Sequence, residues 1–332
     1  MQININNKII GDNAPIYVVA EIGFNHGGDK KLAVRMIEGA AEAGANAVKF
    51  QTFKANKLIL KREEHFEVIK NAELSYEDYK DIAAIVKSNG LDFFSTPFDI
   101  ESVKKIENIG TSLYKIASMD ITNFPLLKYI AKIGKPVILS TGMAVLSEIS
   151  EAIDIIRDQG LEEIVLLHCI SKYPTPIHEA NLTNISYLKN TFSLPVGYSD
   201  HVFGNIAALT AGILGACVIE KHFTIDKKLP GPDHEISCDI TELRQLIKNL
   251  NEARQCIGKI ISTKRPDRIN AKSFRRGIYS NKFIPKGTKL NENMIKLVRP
   301  ENELSPKYFD IVINREAKRD IYEEEDIRFE NI

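Results

Sequence analysis

Eight times over, the chain alternates a short run of β-branched and aromatic residues with a longer amphipathic stretch. The runs begin at Ile16, Asn46, Leu91, Leu113, Pro136, Glu163, Leu194 and Cys217. Most, such as "IYVVAEI", "PVILST" and "EIVLLHC", are nearly all apolar, so both faces of the strands they form must be covered. Between them lie helical patterns such as "DKKLAVRMIEGAAEAG" and "LSEISEAIDIIRDQG", several with Asp, Ser or Thr near the start and Gly at the end, as helix caps require. Eight β-then-α units of this kind predict an α/β fold, a parallel (β/α)₈ TIM barrel over residues 1–258, in preference to an open sheet.

Beyond the last helical pattern the chain changes character. Residues 259–276 are basic, polar and weakly periodic, as in a linker. In the remainder, "FIPKGTKLNENMI" and "DIYEEEDIRFENI" match at an offset of 37, which sets Ile284 against Ile321, Leu290 against Ile327 and Ile295 against Ile332. That echo predicts a small, mostly β domain over 277–332, with a core too small to be robust alone.

Composition excludes several classes of function. Lys plus Arg and Asp plus Glu both number 44, so the formal net charge is zero and no global field favours nucleic acid or an anionic membrane. The four cysteines, Cys169, Cys217, Cys238 and Cys256, form no C-x-x-C pair, which suits reduced thiols and a cytoplasmic protein. The first residues, "MQININNKII", lack a signal-peptide apolar region, and the run Ile206 to Ile219 is too short to span a bilayer.

A barrel enzyme carries its chemistry at the C-terminal ends of its strands. Here every end is polar: Glu21; Lys49 and Gln51; Ser95 and Thr96; Lys115 and Ser118; Ser140 and Thr141; His168; Ser199 with His201; Glu220 with His222. Alternation puts Ser199 and His201 on one face, and likewise Glu220 and His222, so on adjacent strands both imidazoles point at one spot. Two neutral imidazoles without a thiolate leave coordination positions open, the form of a catalytic divalent-metal site. Lys49 and Lys115 stand inside apolar runs, where an ammonium is costly unless it meets an anion. With Thr96, Ser118, Ser140 and Ser199 they make a pocket for a small phosphate or carboxylate, although a desolvated Lys115 could instead form a Schiff base. Glu21 could orient a hydroxyl or handle a proton, or pair with Lys49. "LPGPDHE", with Asp233 and His234, reads equally as a turn.

Taken together, "EIGFNHGGD", "AVKFQTF", "STPFD", "YKIAS", "ILSTGM", "LLHCISKYPTP", "VGYSDH", "VIEKHFT" and "GPDHE" resemble the N-acetylneuraminate (sialic acid) synthase family and its relatives that make other nonulosonic acids. "FRRGIYSNKFIPKGTKL" and "VRP" resemble that family's antifreeze-like (SAF) domain. The resemblance implies a metal-dependent condensation of phosphoenolpyruvate with an N-acetylmannosamine-type sugar and water, releasing phosphate. It implies that His201 and His222 hold manganese, or magnesium or cobalt in its place. Lys49, Thr96, Lys115, Ser118, Ser140 and Ser199 would bind phosphoenolpyruvate, and Glu21, Gln51, Tyr173 and Asp233 the sugar, with Glu21 and Glu220 as alternative general bases. Arg299 would reach over the barrel of a partner subunit in a domain-swapped homodimer.

The sugar pocket departs from the sialic acid pattern. The loop after the second strand is short, Asp120 stands where some relatives have Glu, and Ser171 where some have Asn. A 2,4-diacetamido-2,4,6-trideoxymannose, leading to a legionaminic-type acid, is therefore an alternative acceptor. Two other classes compete: a Schiff-base barrel lyase using Lys115, and a non-catalytic carbohydrate- or ice-binding protein built on the C-terminal domain.

Overall fold

The structure, a computed structural model, describes residues 2–258 and 265–332. It divides into two compact units, Met1–Gly258 and Lys259–Ile332. Part of the expected linker, 259–264, lies outside the described residues; the rest carries two short helical turns, Pro266–Asn270 and Ala271–Phe274.

In the first unit an N-terminal hairpin, β1 (Gln2–Ile5) and β2 (Lys8–Gly11), precedes eight strands: β3 (Tyr17–Gly23), β4 (Ala47–Thr52), β5 (Asp92–Pro97), β6 (Tyr114–Ile116), β7 (Val137–Ser140), β8 (Ile164–Cys169), β9 (Val196–Asp200) and β10 (Val218–His222). These eight close into a parallel barrel in which β10 pairs with β3. Each strand begins within two residues of its expected position, because an apolar run bounded by turn residues has few other ways to bury both faces. The helices between them are capped as their sequences suggest. Asp29 accepts the Lys31 and Leu32 amides at the start of Lys30–Ala43, and Gly44, at φ 89°, ends that helix. Ser75 and Asp239 each open a helix with a capping box.

Two apolar layers result. The larger lies between barrel and helices; the smaller fills the barrel's N-terminal end. The hairpin supplies much of the latter. Ile3 and Ile5 alternate with exposed Gln2 and Asn4, and Asn6 and Asn7, at φ 46° and 68°, make the two-residue turn. Ile3, Ile5 and Ile10 pack against Tyr17, Phe94 and Val218 inside the barrel. Asp92 then anchors the plug, accepting from Asn6 Nδ2 at 2.9 Å, Lys8 Nζ at 2.9 Å and Tyr17 Oη at 2.7 Å. No element is expected there from composition, although the alternation in "QINI" is a strand signal.

The second unit pairs β11 (Gly277–Ser280) with β12 (Ile295–Val298) antiparallel. The echo is structural: Ile284 and Ile321 exchange backbone hydrogen bonds at 2.8 and 2.9 Å, and all six matched residues are buried in one cluster. Regular strand is nonetheless sparse, since isolated bridges and short helical turns make up much of this unit.

The turn after β3, "FNHGG", is tightly held. Gly28, at φ 79°, has the Asn71 carbonyl oxygen 2.2 Å from where a Cβ would stand, so only glycine fits. Its amide donates to His26 Nδ1 at 3.0 Å, and burial pushes the His26 pKa down from 6.5 to about 4, the nearby Asp29 opposing.

This packing has two measurable outcomes. Ile10→Ala should cost about 2–5 kcal/mol in urea unfolding, the usual penalty for a buried large-to-small change, and an unchanged midpoint would detach the hairpin from the barrel core. For His26 the unfolded chain binds more protons than the folded one between pH 6.5 and about 4, so its contribution is whole above pH 6.5 and is lost as pH falls toward 4. Between pH 7 and 4 the wild type should therefore lose about 3 kcal/mol more than His26→Asn; identical pH profiles would show that His26 does not resist protonation.

Candidate active site

Lateral register assembles the site. His222 lies beside Glu21, Glu21 beside Lys49, Gln51 beside Thr96, and Glu220 beside Ser199. Because side chains alternate, these inward residues and Lys115, Ser118, Ser140, Tyr173 and His201 line one small cavity of about 70 Å³. Phe98, Ala117, Cys169 and Ser171 complete its wall. Nothing in the sequence marks the first three as lining; Cys169 reads there as an inert core thiol, and only the strand phase turns it inward.

The same alternation removes three expected residues. His168 points out of the barrel, its Nε2 paired with the Ala180 carbonyl at 2.8 Å and its ring stacked on Tyr198. Ser95 pairs with Thr52, and Thr141 donates to the Leu167 carbonyl. Each does structural work between barrel and helices.

Inside the cavity the charges form a chain. Lys49, 3% exposed, sits 2.8 Å from Glu21 Oε2 and 3.8 Å from Glu220 Oε1, and donates to Thr96 Oγ1 at 3.2 Å. Burial works against its charge, but the two carboxylates outweigh that and raise its pKa. Gln51 Nε2 donates to Glu21 Oε1, and Ser199 Oγ to Glu220 Oε1. Glu220 is likewise buried, yet Lys49 and Lys115 hold its pKa low. Its Oε2 has no hydrogen-bond partner. Lys115 is less compensated: burial lowers its pKa, Glu220 opposes and Lys49 adds to the depression, while its Nζ donates to Ser140 Oγ at 2.6 Å and to the Ile116 carbonyl. An anion beside Lys115 would supply the close counter-charge it lacks.

The histidines stand at the ends of β9 and β10, His222 next to Glu21. Their ring centroids are 5.5 Å apart, with the Tyr173 ring 4.1 Å from His201 and 5.9 Å from His222. His201 Nδ1 is bonded to the Ile170 carbonyl at 2.8 Å, which directs the Nε2 lone pair elsewhere, and burial lowers its pKa to about 3, keeping the ring neutral. His222 Nδ1 is buried without a hydrogen-bond partner, 3.8 Å from Asp233 Oδ2. A neutral, oriented His201 beside a His222 nitrogen without a hydrogen-bond partner fits a divalent cation. Among the described residues no three His, Cys, Asp or Glu side chains converge as a ligand set, so the protein's share would be small and the rest left to substrate and water.

Asp233 belongs to a second, wider cavity of about 730 Å³, which shares Gln51, Phe98, Ala117, Ser118, Ser171, Tyr173 and His222 with the first. Its remaining wall is mostly apolar: Phe24, Leu58, Ile59, Val68, Ile69, Met119, Met143 and Pro232, with His65 the exception. Nothing in the sequence points to this wall, since it is assembled from four separate loops. Asp120 is buried, its carboxyl bonded to Asn123. Arg299 belongs to the other unit, where its guanidinium lies 5.2 Å over the Phe274 ring.

Known proteins resemble this chain along nearly its whole length. Residues 36–262 match the NeuB family and residues 275–332 the SAF domain. An uncharacterised protein of Methanocaldococcus jannaschii is 40% identical, covering 98% of this chain and 97% of its own length. The N,N'-diacetyllegionaminic acid synthase of Campylobacter jejuni is 39% identical, over 94% of this chain and 98% of its own. The crystal structure of N-acetylneuraminic acid (sialic acid) synthetase from Leptospira borgpetersenii superposes with a TM-score of 0.79 at 38% identity, over 81% of this chain and 95% of that one. A barrel with this register of strand-end residues, followed by a SAF domain and similar to these proteins over so much of its length, belongs to the NeuB family.

Proposed function

We propose that the chain is a nonulosonic acid synthase that joins phosphoenolpyruvate, an open-chain amino sugar and water. The observation that carries this reading is one small cavity that gathers two buried lysines, each donating to a hydroxyl, and two imidazoles whose ring centroids are 5.5 Å apart. Lys49 and Lys115, with Thr96, Ser118, Ser140 and Ser199, hold the anionic donor. Glu21, Gln51, Tyr173 and Asp233 orient the sugar. A divalent cation on His201 and His222, manganese in this reading, supplies Lewis acidity to the sugar carbonyl.

In the reaction a bond forms between C3 of the donor and the sugar aldehyde carbon, whose oxygen gains a proton. Water adds at C2, and the bond from C2 to the phosphate oxygen breaks. Glu220 is the better base for that water, because it is held ionised with Lys49 no nearer than 3.8 Å, whereas Glu21 meets Lys49 at 2.8 Å and accepts from Gln51. Lys115, with its depressed pKa, supports a Schiff-base lyase as the second reading; borohydride trapping with substrate present would establish that reading, and none is expected.

The acceptor is the finer question, and relatives named for different acids stand at 39% and 38% identity. The apolar wall of the outer cavity favours 2,4-diacetamido-2,4,6-trideoxymannose over N-acetylmannosamine. Its two acetyl methyls and C6 methyl suit such a wall, while extra hydroxyls buried there unpaired would cost about 1–3 kcal/mol each. We place the enzyme in the cytoplasm, consistent with its four free cysteines, as a domain-swapped homodimer in which Arg299 of one subunit reaches the sugar on its partner. No helix among the described residues is long and apolar enough to cross a membrane.

Phosphate release from phosphoenolpyruvate with manganese should be faster with the diacetamido sugar, stop on chelation and vanish in His222→Ala. Equal or faster release with N-acetylmannosamine would overturn the acceptor assignment, and none with either sugar the synthase itself. Arg299→Ala should raise the sugar KM about tenfold or more, the worth of a charge-assisted hydrogen bond, with little change for phosphoenolpyruvate; equal effects on both would show that the arginine does not reach the sugar.

A further inference from the structure

After β10 the chain runs from Phe223 to Asp239 without a helix or regular strand. It nevertheless holds Asp233 Oδ2 3.8 Å from His222 Nδ1, too far for the two to bond and close enough for one oxygen to touch both. An irregular segment does not keep such a position unaided, since ordering each residue costs about 1–2 kcal/mol of backbone entropy. Something outside the cavity must hold it.

Four buried polar side chains do. Asn25 Nδ2 donates to the Phe223 carbonyl at 2.9 Å, where the segment begins, and to Ser237 Oγ at 2.9 Å, near its end. Ser237 Oγ in turn donates to the Asp233 carbonyl at 2.6 Å. His234 Nδ1 pairs with Thr224 Oγ1 at 2.8 Å, tying the residue after Asp233 to the start of the segment. None of the four is more than 2% exposed, and none lines either cavity. Their effect on the site can only pass through the backbone they hold.

We infer that Asn25 and Ser237 are positioning residues that set the enzyme's affinity for its acceptor by fixing Asp233 beside His222. Asn25 staples the two ends of the segment, and Ser237 passes that constraint to the Asp233 peptide. The inference rests on the reading of Asp233 as a sugar contact.

Steady-state kinetics of the full-length enzyme, with the donor and acceptor KM measured separately, test it in Ser237→Ala, Asp233→Ala and the double variant. Ser237→Ala should raise the acceptor KM about tenfold, as loss of one buried hydrogen bond would, with the donor KM and the thermal midpoint of the barrel little changed. In the Asp233→Ala background the same change should add nothing, because the residue it positions is gone. Asn25→Ala should behave likewise, and should it fail to fold, Ser237→Ala carries the test alone. An equal rise in both KM values, or a full additional effect in the double variant, would make Ser237 merely structural. An effect of Asp233→Ala with none of Ser237→Ala would overturn the positioning role and leave the sugar contact standing. An unchanged acceptor KM in Asp233→Ala would overturn both.

Discussion

Lys49 is an ammonium buried among barrel side chains, and the polar site is organised around the cost of putting it there. An isolated charge at 3% exposure would be prohibitive. Glu21 on one side and Glu220 on the other offset that cost, and each is fixed in turn, Glu21 by Gln51 and Glu220 by Ser199. The chain of contacts thus runs through β9, β10, β3 and β4 across the point where the barrel closes on itself. It also leaves Lys115 short of a counter-charge, so the cavity is preset for an anion.

The two cavities differ in dielectric character. The inner one is small, charged and walled by strand residues whose positions are set by barrel register. The outer one is wide, apolar and walled by loops, and meets the inner one at Tyr173 and His222. Charged recognition needs rigid, prearranged groups in a poorly solvated space. In the function proposed above, acceptor choice would need only shape and the presence or absence of unpaired hydroxyls, which loops can vary without disturbing the chemistry.

The inner site is largely legible in the sequence. His201, His222, Lys49, Lys115, Glu21 and Glu220 all sit at ends of apolar runs, and alternation gives their facing directly. The misses share one cause. His168, Ser95 and Thr141 lie near the same strand ends, but facing depends on where each strand's phase is set, and a run buried on both faces carries no alternation to reveal it. Cys169 is turned inward by that same phase. The hairpin at Ile3 to Ile10 is hidden because its isoleucines serve a core whose other members lie on distant strands.

The number of strands, the closure they demand, the echo in the second unit and the chemical types at the strand ends are local properties, and local sequence determined them. Periodicity, capping and the cost of burying a lysine act within a few residues of where they are read. Tertiary structure alone decided that Lys49 lies closer to Glu21 than to Glu220, that an apolar cavity opens beside His222, and that Asn25 reaches across roughly two hundred residues of chain to hold the segment bearing Asp233. Those outcomes depend on which side chains meet when the barrel closes, a long-range packing condition that no short stretch of sequence records.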